Sequence, residues 1–591
     1  MHARFSRLLA FGLMLALPAM AQSQAPTNFS ELRGVTRDPG GVLPLPEAQV
    51  LVHDLDENTG RTVVSDANGT FVVEKLKPGH YQLQANKEGF KSSALAKFDL
   101  AAGKSLVLDM ALGANLSGHT SQEAPASRRT QKPEGFFRRF AKAYRDDWKP
   151  APAGAAAAPA AAFRGDPPPV NGPPFPFSTW PIGGTVTMGY PWTQAAPLMQ
   201  ALWSGPHGEA WKKSGVQIYG WLNFGGNFST SKSRGGKYGN FPTAYDEVPN
   251  AIEPDQEVLY IERQPNTVQT DHFDWGFRLT GLWGIDYRFT TARGYFSQQL
   301  LNNPPTGKEY GFDPVMMYID LYFPHIAQGM NVRIGRYISL PDIEAQLAPN
   351  NYTYSHSLLY TFDCYTQTGI NTTTKLNSHW TVQVGVSPGC EVQPFLWKDK
   401  YHDAKLTLNA CVQYMWRQSK DAVYVCDNAT NSGKYAYNNL QAYYATWYHV
   451  ISKNWHSSTE YWYMWMKNVP NVTNPTDPIV PETNSNGAIC KTTTQLTCFA
   501  PEHAIVNYLE HQIGPHNYIS IRNEFFNDMR GQRTGFKTRY TEHLFGWGHW
   551  IGTTILLRPE LRYEHSYDSP SYQNGTKKSQ LTAAGDIIWF F

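Results

Sequence analysis

From residue 215 to the last residue, apolar and polar side chains alternate one for one over stretches of about ten residues, the spacing of strands with two unlike faces. In TTILLRPELRYEHSY, Arg558, Glu560, Arg562 and Glu564 fall on one face and Leu557, Leu561 and Tyr563 on the other. In YISIRNEFF, Ser520, Arg522 and Glu524 oppose Ile519, Ile521 and Phe525. A strand that crosses a bilayer needs ~9 to 11 residues and must join a closed ring, so that no backbone group is left unpaired in lipid. An arginine at the lipid midplane costs roughly 2 to 4 kcal/mol, so in such a ring the charged face points inward and the interior is wet and charged. A soluble sandwich carries the reverse arrangement, and alternation alone does not separate the two.

Other features of the same region favour the ring. In SQLTAAGDIIWFF, Leu581, Ala583, Ile587, Trp589 and Phe591 form an apolar face that finishes on a terminal aromatic. Such an end, Trp589 and Phe591 above all, resembles the signal that outer-membrane barrels present to the insertion machinery. The clusters Tyr461, Trp462, Tyr463, Trp465 and Tyr443, Tyr444, Trp447, Tyr448 suit the aromatic girdles at the two bilayer interfaces. Asn377-Ser378, Lys453-Asn454 and Pro515-His516-Asn517 read as tight turns at one end, whereas 230–270 and 468–500 read as long loops at the other. Counting segments over 215–591 gives sixteen strands, with eighteen the nearest alternative, and the hairpin near Trp283–Arg288 is the least defined. A barrel of that size is too wide for its side chains to fill, and an aqueous channel results.

Residues 1–21 read as a secretory signal peptide: Arg4 and Arg7 precede a short apolar run, and Ala19-Met20-Ala21 is a small-residue cleavage site. Beyond residue 21 no segment approaches the ~20 apolar residues of a transmembrane helix. Residues 30–112 alternate in shorter pieces, AQVLVHDL, TVVSD, TFVVEKL and HYQLQA, with breaks at Asn58-Thr59-Gly60, Asn68-Gly69 and Pro78-Gly79. Asn-Gly supplies the positive φ of a tight hairpin and Pro-Gly fits a type II turn. About seven strands in an antiparallel β-sandwich are expected. The stretches GVTRDPGGVLPLPEAQVLV and SDANGTFVVEKLKPGHYQLQANKEGF resemble the carboxypeptidase-regulatory-like, prealbumin-type domain. That resemblance implies a binding or spacer module without catalysis, with a periplasmic protein or a carbohydrate as its candidate partner.

Between the two regions, residues 113–214 hold a Pro/Ala-rich stretch, 149–176, that reads as a semi-rigid extended linker. Just before it, in 134–148, Phe136, Phe140, Tyr144 and Trp148 recur every four residues, with Arg138, Arg139, Lys142 and Arg145 largely on other faces. This is a short basic amphipathic helix, expected to dock on the protein itself or to touch anionic lipid.

Composition agrees with an all-β chain. Of 591 residues only 17% are charged while 14% are aromatic, and the formal net charge of +2 argues against a nucleic-acid partner. The six cysteines lie in the C-terminal half of an exported chain and allow fifteen pairings, of which only Cys490 with Cys498, bracketing KTTTQLT, is assigned. No Cys/His spacing suggests a metal, no cofactor motif is present, and neither GxSxG nor HExxH occurs. His511, His543 and Ser520 therefore carry no assigned catalysis, and an enzyme is not expected.

The stretches VQIYGWLNFGGNFSTS, DWGFRLTGLWGIDYRFTTARGYFSQQL, MYIDLYFP, NVRIGRYISLPDIEAQLAPNNYTYSHS, EHQIGPHNYISIRNEFFNDMRGQRTG and LLRPELRYEHS, spread over 215–591, resemble the putative beta-barrel porin-2 family of Gram-negative outer membranes. The resemblance implies a porin-like barrel in the outer-membrane bilayer and diffusion of small solutes; a homotrimer follows only by analogy with wide porins. In a porin, charges at a constriction bias which solutes enter. The pore-lining candidates are Asp320, Arg333, Arg336, Arg522, Glu524, Arg558, Glu560, Arg562 and Glu564, each open to a second role in a cross-strand salt bridge. The loop 339–357, LPDIEAQLAPNNYTYSHSL, is the first choice for a segment folded into the lumen. Two rival readings use the same body: an energy-driven receptor of the TonB-dependent type, which needs a plug and about 22 strands, and an adhesive or envelope-tethering barrel that works through its sandwich and loops.

Overall fold

The computed structural model describes residues 30–114, 134–149 and 196–591, apart from 38–44, 58, 67–68, 88–89, 92, 94–95, 103, 109, 235, 266–271, 302–307, 339–342, 378, 394–404, 418–420, 434–438, 453, 475–486 and 515. The signal peptide expected over 1–21, and the Pro/Ala stretch except Lys149, lie outside the described residues. The chain divides into two units, Met1–Ala126 and Ser127–Phe591.

In the first unit the strands are β1 (Ser30–Arg37), β2 (Gln49–Asp54), β3 (Thr59–Val64), β4 (Thr70–Leu76) and β5 (Gly79–Asn86). Shorter ones follow: β6 (Phe90–Lys91), β7 (Ala96–Leu100), β8 (Ser105–Val107), β9 (Met110–Ala111) and β10 (Gly113–Ala114). One sheet runs β4-β1-β8 with β9 also on β1, a second runs β3-β2-β5-β7, and β10 pairs β6. Inward-facing Leu32, Val50, Val52, Phe71, Val73, Tyr81 and Leu83 form the core. The sandwich is antiparallel except that β1 pairs in parallel with β8 and β9, which the long passage through the other sheet permits. Gly69 takes the positive φ expected of its hairpin (+70°), and Asn68 lies outside the described residues. Pro78-Gly79 is not the type II turn expected: Gly79 opens β5, where a Cβ would sit 2.6 Å from Asp56 Oδ2. That carboxylate accepts the His80 amide at 2.8 Å, so the glycine serves a close approach.

In the second unit the alternating segments close into one barrel of sixteen strands, each antiparallel to its sequence neighbours, with the last strand sealing against the first. They are β11 (Gln217–Ser229), β12 (Ile252–Arg263), β13 (Asp274–Gly284), β14 (Gly311–Phe323), β15 (Met330–Ile338), β16 (Thr366–Lys375), β17 (Trp380–Ser387) and β18 (Thr407–Trp416). The second half comprises β19 (Asp421–Thr430), β20 (Gln441–Val450), β21 (Trp455–Pro470), β22 (Thr497–Ile513), β23 (Asn517–Asp528), β24 (Thr538–Ile551), β25 (Ile555–Ser566) and β26 (Ser579–Phe590). At one end, the turn end, lie the start of β11, the finish of β26 and connections such as 376–379, 451–454, 514–516 and 552–554. At the opposite loop end lie 230–251, 285–310, 339–365 and 471–496.

Two boundaries differ from expectation. The segment 230–270 is not one loop, because β12 occupies its second half; the strand begins with the polar run IEPDQE, which masks its alternation. Near Trp283–Arg288 the strand β13 stops at Gly284 and a helical turn, Tyr287–Thr290, follows. Asn377, Asn454 and His516 fall at the turn end as expected, whereas Ser378, Lys453 and Pro515 lie outside the described residues.

The strands carry two faces. Leu561, Tyr563, Leu581, Ile587 and Trp589 are exposed on the outside, and the charged positions between them are buried inside. Parity also splits the aromatic clusters assigned to the girdles. Tyr443, Trp447 and Tyr461 face outward, but Tyr444, Tyr448 and Trp462 point into the barrel, because neighbours along a strand cannot share a face. Helix α1 (Phe136–Asp147) packs on α2 (Pro197–Trp203), which α3 (Gly208–Ser214) connects to β11. Among the described residues no helix is long and apolar enough to cross a membrane.

Candidate functional site: a loop clamped inside the barrel

The loop between β15 and β16 folds into the lumen and reaches the opposite wall. Its described part, from Ile343, is shaped by its own polar residues. Asn351 accepts the Ala345 amide at 2.8 Å and donates back to the Ala345 (2.8 Å) and Leu347 (3.1 Å) carbonyls, rounding off the 3₁₀ turn Ala348–Asn350. Ser357 caps the helical turn Leu358–Thr361, its Oγ accepting the Tyr360 amide at 3.1 Å. The Glu344 carboxylate joins the two halves of the loop by accepting the Ser357 amide (3.0 Å) and hydroxyl. His356 donates from Nε2 to the Ala345 carbonyl at 2.6 Å, and burial holds its imidazole neutral.

The wall grips this loop through charges. Arg558, in β25, donates to the Ala348 (2.6 Å) and Asn351 (2.8 Å) carbonyls while its other nitrogens hold Asp586 of β26 at 3.0 and 2.5 Å. Glu560 accepts the Tyr354 and Ser355 amides at 3.0 and 3.1 Å. Arg522 of β23 donates to the Ser355 carbonyl (2.6 Å) and hydroxyl (3.0 Å) and pairs with Glu542 of β24. Glu524 accepts the amides of Leu358 (2.8 Å) and Leu359. Neutral groups complete the seat: Tyr518 donates to the Tyr352 carbonyl (2.9 Å), Trp462 donates to the Leu359 carbonyl (3.0 Å), and Gln256 donates to the Gln346 carbonyl (2.7 Å) while accepting the Ala348 amide (2.9 Å). Guanidinium groups meet carbonyls and carboxylates meet amides, so every loop contact to a charge is of the stronger, charge-assisted kind.

The first loop, 230–251, also turns inward. Asp246 pairs with Arg562 at 2.9 Å, and Arg562 in turn holds Glu560 and Glu564. Thr243 donates to Glu564 at 2.5 Å. Burial pushes the Asp246 carboxyl up to about 7, against the pull of Arg562.

The chain matches the putative beta-barrel porin-2, OmpL-like family over residues 215–591. It belongs to that family. As a family member it adds a carboxypeptidase regulatory-like domain, matched over 31–113. Among solved structures, this porin-2 chain is similar to an anion-selective porin from Comamonas acidovorans, at 11% identity, TM-score 0.40, over 64% of this chain and 99% of that one. It is also similar to the outer membrane channel DcaP of Acinetobacter baumannii (8%, 0.38, 64% and 97%) and to OmpT of Vibrio cholerae in its trimer form (10%, 0.38, 64% and 99%). No curated protein matches the chain.

Eight of the nine charges named as pore-lining candidates take interior-facing positions in this porin-2 barrel; Arg336 has the parity of outward-facing Ile334 and is buried instead against Thr290 and Tyr295 of the β13–β14 connection, and none of the nine lines open water. None is more than 6% exposed. Six of them, from Arg522 to Glu564, converge on the two in-folded loops. The other three do not join that group: Asp320 and Arg333 form a bidentate pair across β14 and β15, and Arg336 is bound by Asp313 and the Pro314 and Thr290 carbonyls. Sequence reasoning missed the partners. Glu542 and Asp586 sit on interior-facing positions and were legible from parity, whereas Glu344, Asp246 and the long-range role of Gln256 carry no local signal. The Cys490–Cys498 disulfide is present, and so are Cys364–Cys390 and Cys411–Cys426. Cys411 and Cys426 stand directly opposite in β18 and β19, a register that needs the strand ends to be known.

Proposed function

We propose that the chain forms an aqueous channel across the outer membrane through which small hydrophilic solutes diffuse passively, with the β15–β16 loop as its constriction. The observation that carries this reading is the loop itself, drawn across the lumen from β15 and fastened to β23 and β25 by buried charges. An in-folded loop narrows a sixteen-strand barrel to a size-selective passage, and its clamps set where the narrowing lies. The barrel charges then act on selectivity at one remove, by fixing the loop. The turn end faces the periplasm in this proposal, the N-terminal domain is a periplasmic one, and a homotrimer is part of the same picture. No catalytic step is assigned.

Sixteen strands count against the energy-driven receptor, whose ring has about 22. Reconstitution of residues 22–591 into liposomes with graded sugars and organic ions of both signs tests the proposal. Swelling with a sharp size limit is expected, without dependence on a proton gradient. Liposomes that stay impermeable to the smallest sugar, or uptake abolished by collapsing a proton gradient, contradict it. Native mass in mild detergent reads the trimer.

A further inference from the structure

Helix α1 is fixed to the turn end of the barrel by specific contacts. Tyr144 donates to the Phe590 carbonyl at 2.7 Å, and Trp148 Nε1 donates to Thr554 Oγ1 at 2.9 Å. Asp147 accepts the Thr553 amide (2.9 Å) and hydroxyl (2.7 Å) and the Thr554 hydroxyl (2.7 Å), capping the β24–β25... turn at 552–554. On another side, Arg139 donates to the Ala201 carbonyl of α2 at 2.9 Å. The Tyr144 ring meets Trp589 edge to face at 5.8 Å. Trp589 belongs to the outward stripe of β26 and is 45% exposed, so the helix lies along the outer edge of the rim.

From that contact a row of rings runs along the helix: Tyr144 to Phe140 (5.2 Å), Phe140 to Phe136 (6.0 Å) and Phe136 to Phe137 (5.4 Å). Phe137, at its end, is 82% exposed. At about 3.6 residues per turn, Arg138, Lys142, Arg145 and Lys149 fall in one stripe on the face turned away from that row. Two acids lie near the stripe: exposed Glu134 at its start, and Asp146, which is paired with Lys142 and Lys149 and held down to about 2 by its hydrogen bond from Lys142. An aromatic row continuous with the lipid-facing stripe of a barrel, with a basic stripe on the opposed face, is the layout of a helix lying in the bilayer interface.

We propose that α1 is an interfacial anchor: its aromatic row lies at the headgroup boundary of the leaflet at the turn end, and its basic stripe binds the phosphates of anionic phospholipids. This rests on the membrane-spanning reading of the barrel. All six cysteines are in disulfides, so Phe137→Cys supplies a single thiol for a bimane label on the full chain. In vesicles of phosphatidylcholine with phosphatidylglycerol, a spin label near the headgroup should quench the bimane and aqueous iodide should not. In nonionic detergent, short-chain phosphatidylglycerol should shift its emission at lower concentration than phosphatidylcholine does. A basic residue near an anionic surface contributes roughly fivefold in affinity, so Arg138→Gln with Arg145→Gln should weaken the phosphatidylglycerol response roughly 25-fold and leave the phosphatidylcholine response unchanged. Full iodide quenching, equal responses to the two lipids, or an equal response to glycerol phosphate alone would overturn the anchor. Channel steps recorded from the same labelled protein report on the barrel separately, so a failed anchor on a conducting barrel is distinguishable from a failed barrel.

Discussion

Replacing Arg558 by Met removes the group that ties the loop to the closing seam of the barrel. Arg558 is 1% exposed and holds two loop carbonyls on one side and Asp586 on the other. Deleting one partner of a buried pair costs roughly 3 to 5 kcal/mol, because the other charge is left without compensation. Hydrogen bonds to a charged group contribute about 1.5 to 3 kcal/mol each, and the two losses overlap. Taking about 3 kcal/mol as the share felt by the loop, its released state gains on the order of a hundredfold in population. Arg558→Met should therefore give larger, noisier single-channel currents in planar bilayers and a lower temperature for the band shift of the folded barrel in detergent gels. Adding Asp586→Leu removes the stranded charge, and Asn223, which donates to Asp586 at 2.7 Å, keeps the Ile587 carbonyl at 3.3 Å. The double variant should regain most of the thermal stability yet stay noisy, since the loop carbonyls remain without their donor. Unchanged currents in both variants would refute the clamp.

Other outcomes follow from the same contacts. Deleting loop residues 343–357 should raise conductance, and an unchanged value in planar bilayers counts against the constriction. Because the Asp246 carboxyl is raised to about 7 from an ordinary 3.8, the in-folded first loop binds a proton that the released loop has lost; its hold is full below about pH 4 and weakens as pH rises through 7. Current noise should climb over that window and level off above it, and Asp246→Asn should flatten the profile. Trp462→Phe removes the bond to the Leu359 carbonyl and should cost about 1 kcal/mol in urea unfolding of the reconstituted barrel. Changing Cys411 and Cys426 together to Ser, which opens a link of sequence separation 15, should cost up to about 3 kcal/mol in the same assay without altering conductance.

Much of the barrel was readable because a bilayer imposes a strict period: the faces of β23, β25 and β26 follow from alternation and from the cost of charge in lipid. The same period, applied residue by residue, would have turned Trp462 and Tyr444 inward, where runs of aromatics suggested a girdle. The inward fold of the loop, seen in its described residues 343–357, was expected from its motif, but not what holds it. A carboxylate such as Glu560 gives no local hint that it accepts amides more than two hundred residues away, and the expectation of a wet, charged interior overlooked how completely backbone groups of a loop can satisfy wall charges. Gly79 carries a similar lesson on a smaller scale, since a Pro-Gly pair reads as a turn until the neighbouring Asp56 is placed.

The account turns on whether the β15–β16 loop lies against the far wall. A Cβ at Gly546 of β24 would come within 3.2 Å of Thr353 Cγ2 in that loop, so Thr353→Cys with Gly546→Cys sets two thiols within disulfide reach. Peptide mapping of the folded, oxidised variant should recover 353 linked to 546 beside the three native disulfides. Two thiols that remain free to alkylate in a folded barrel would contradict it.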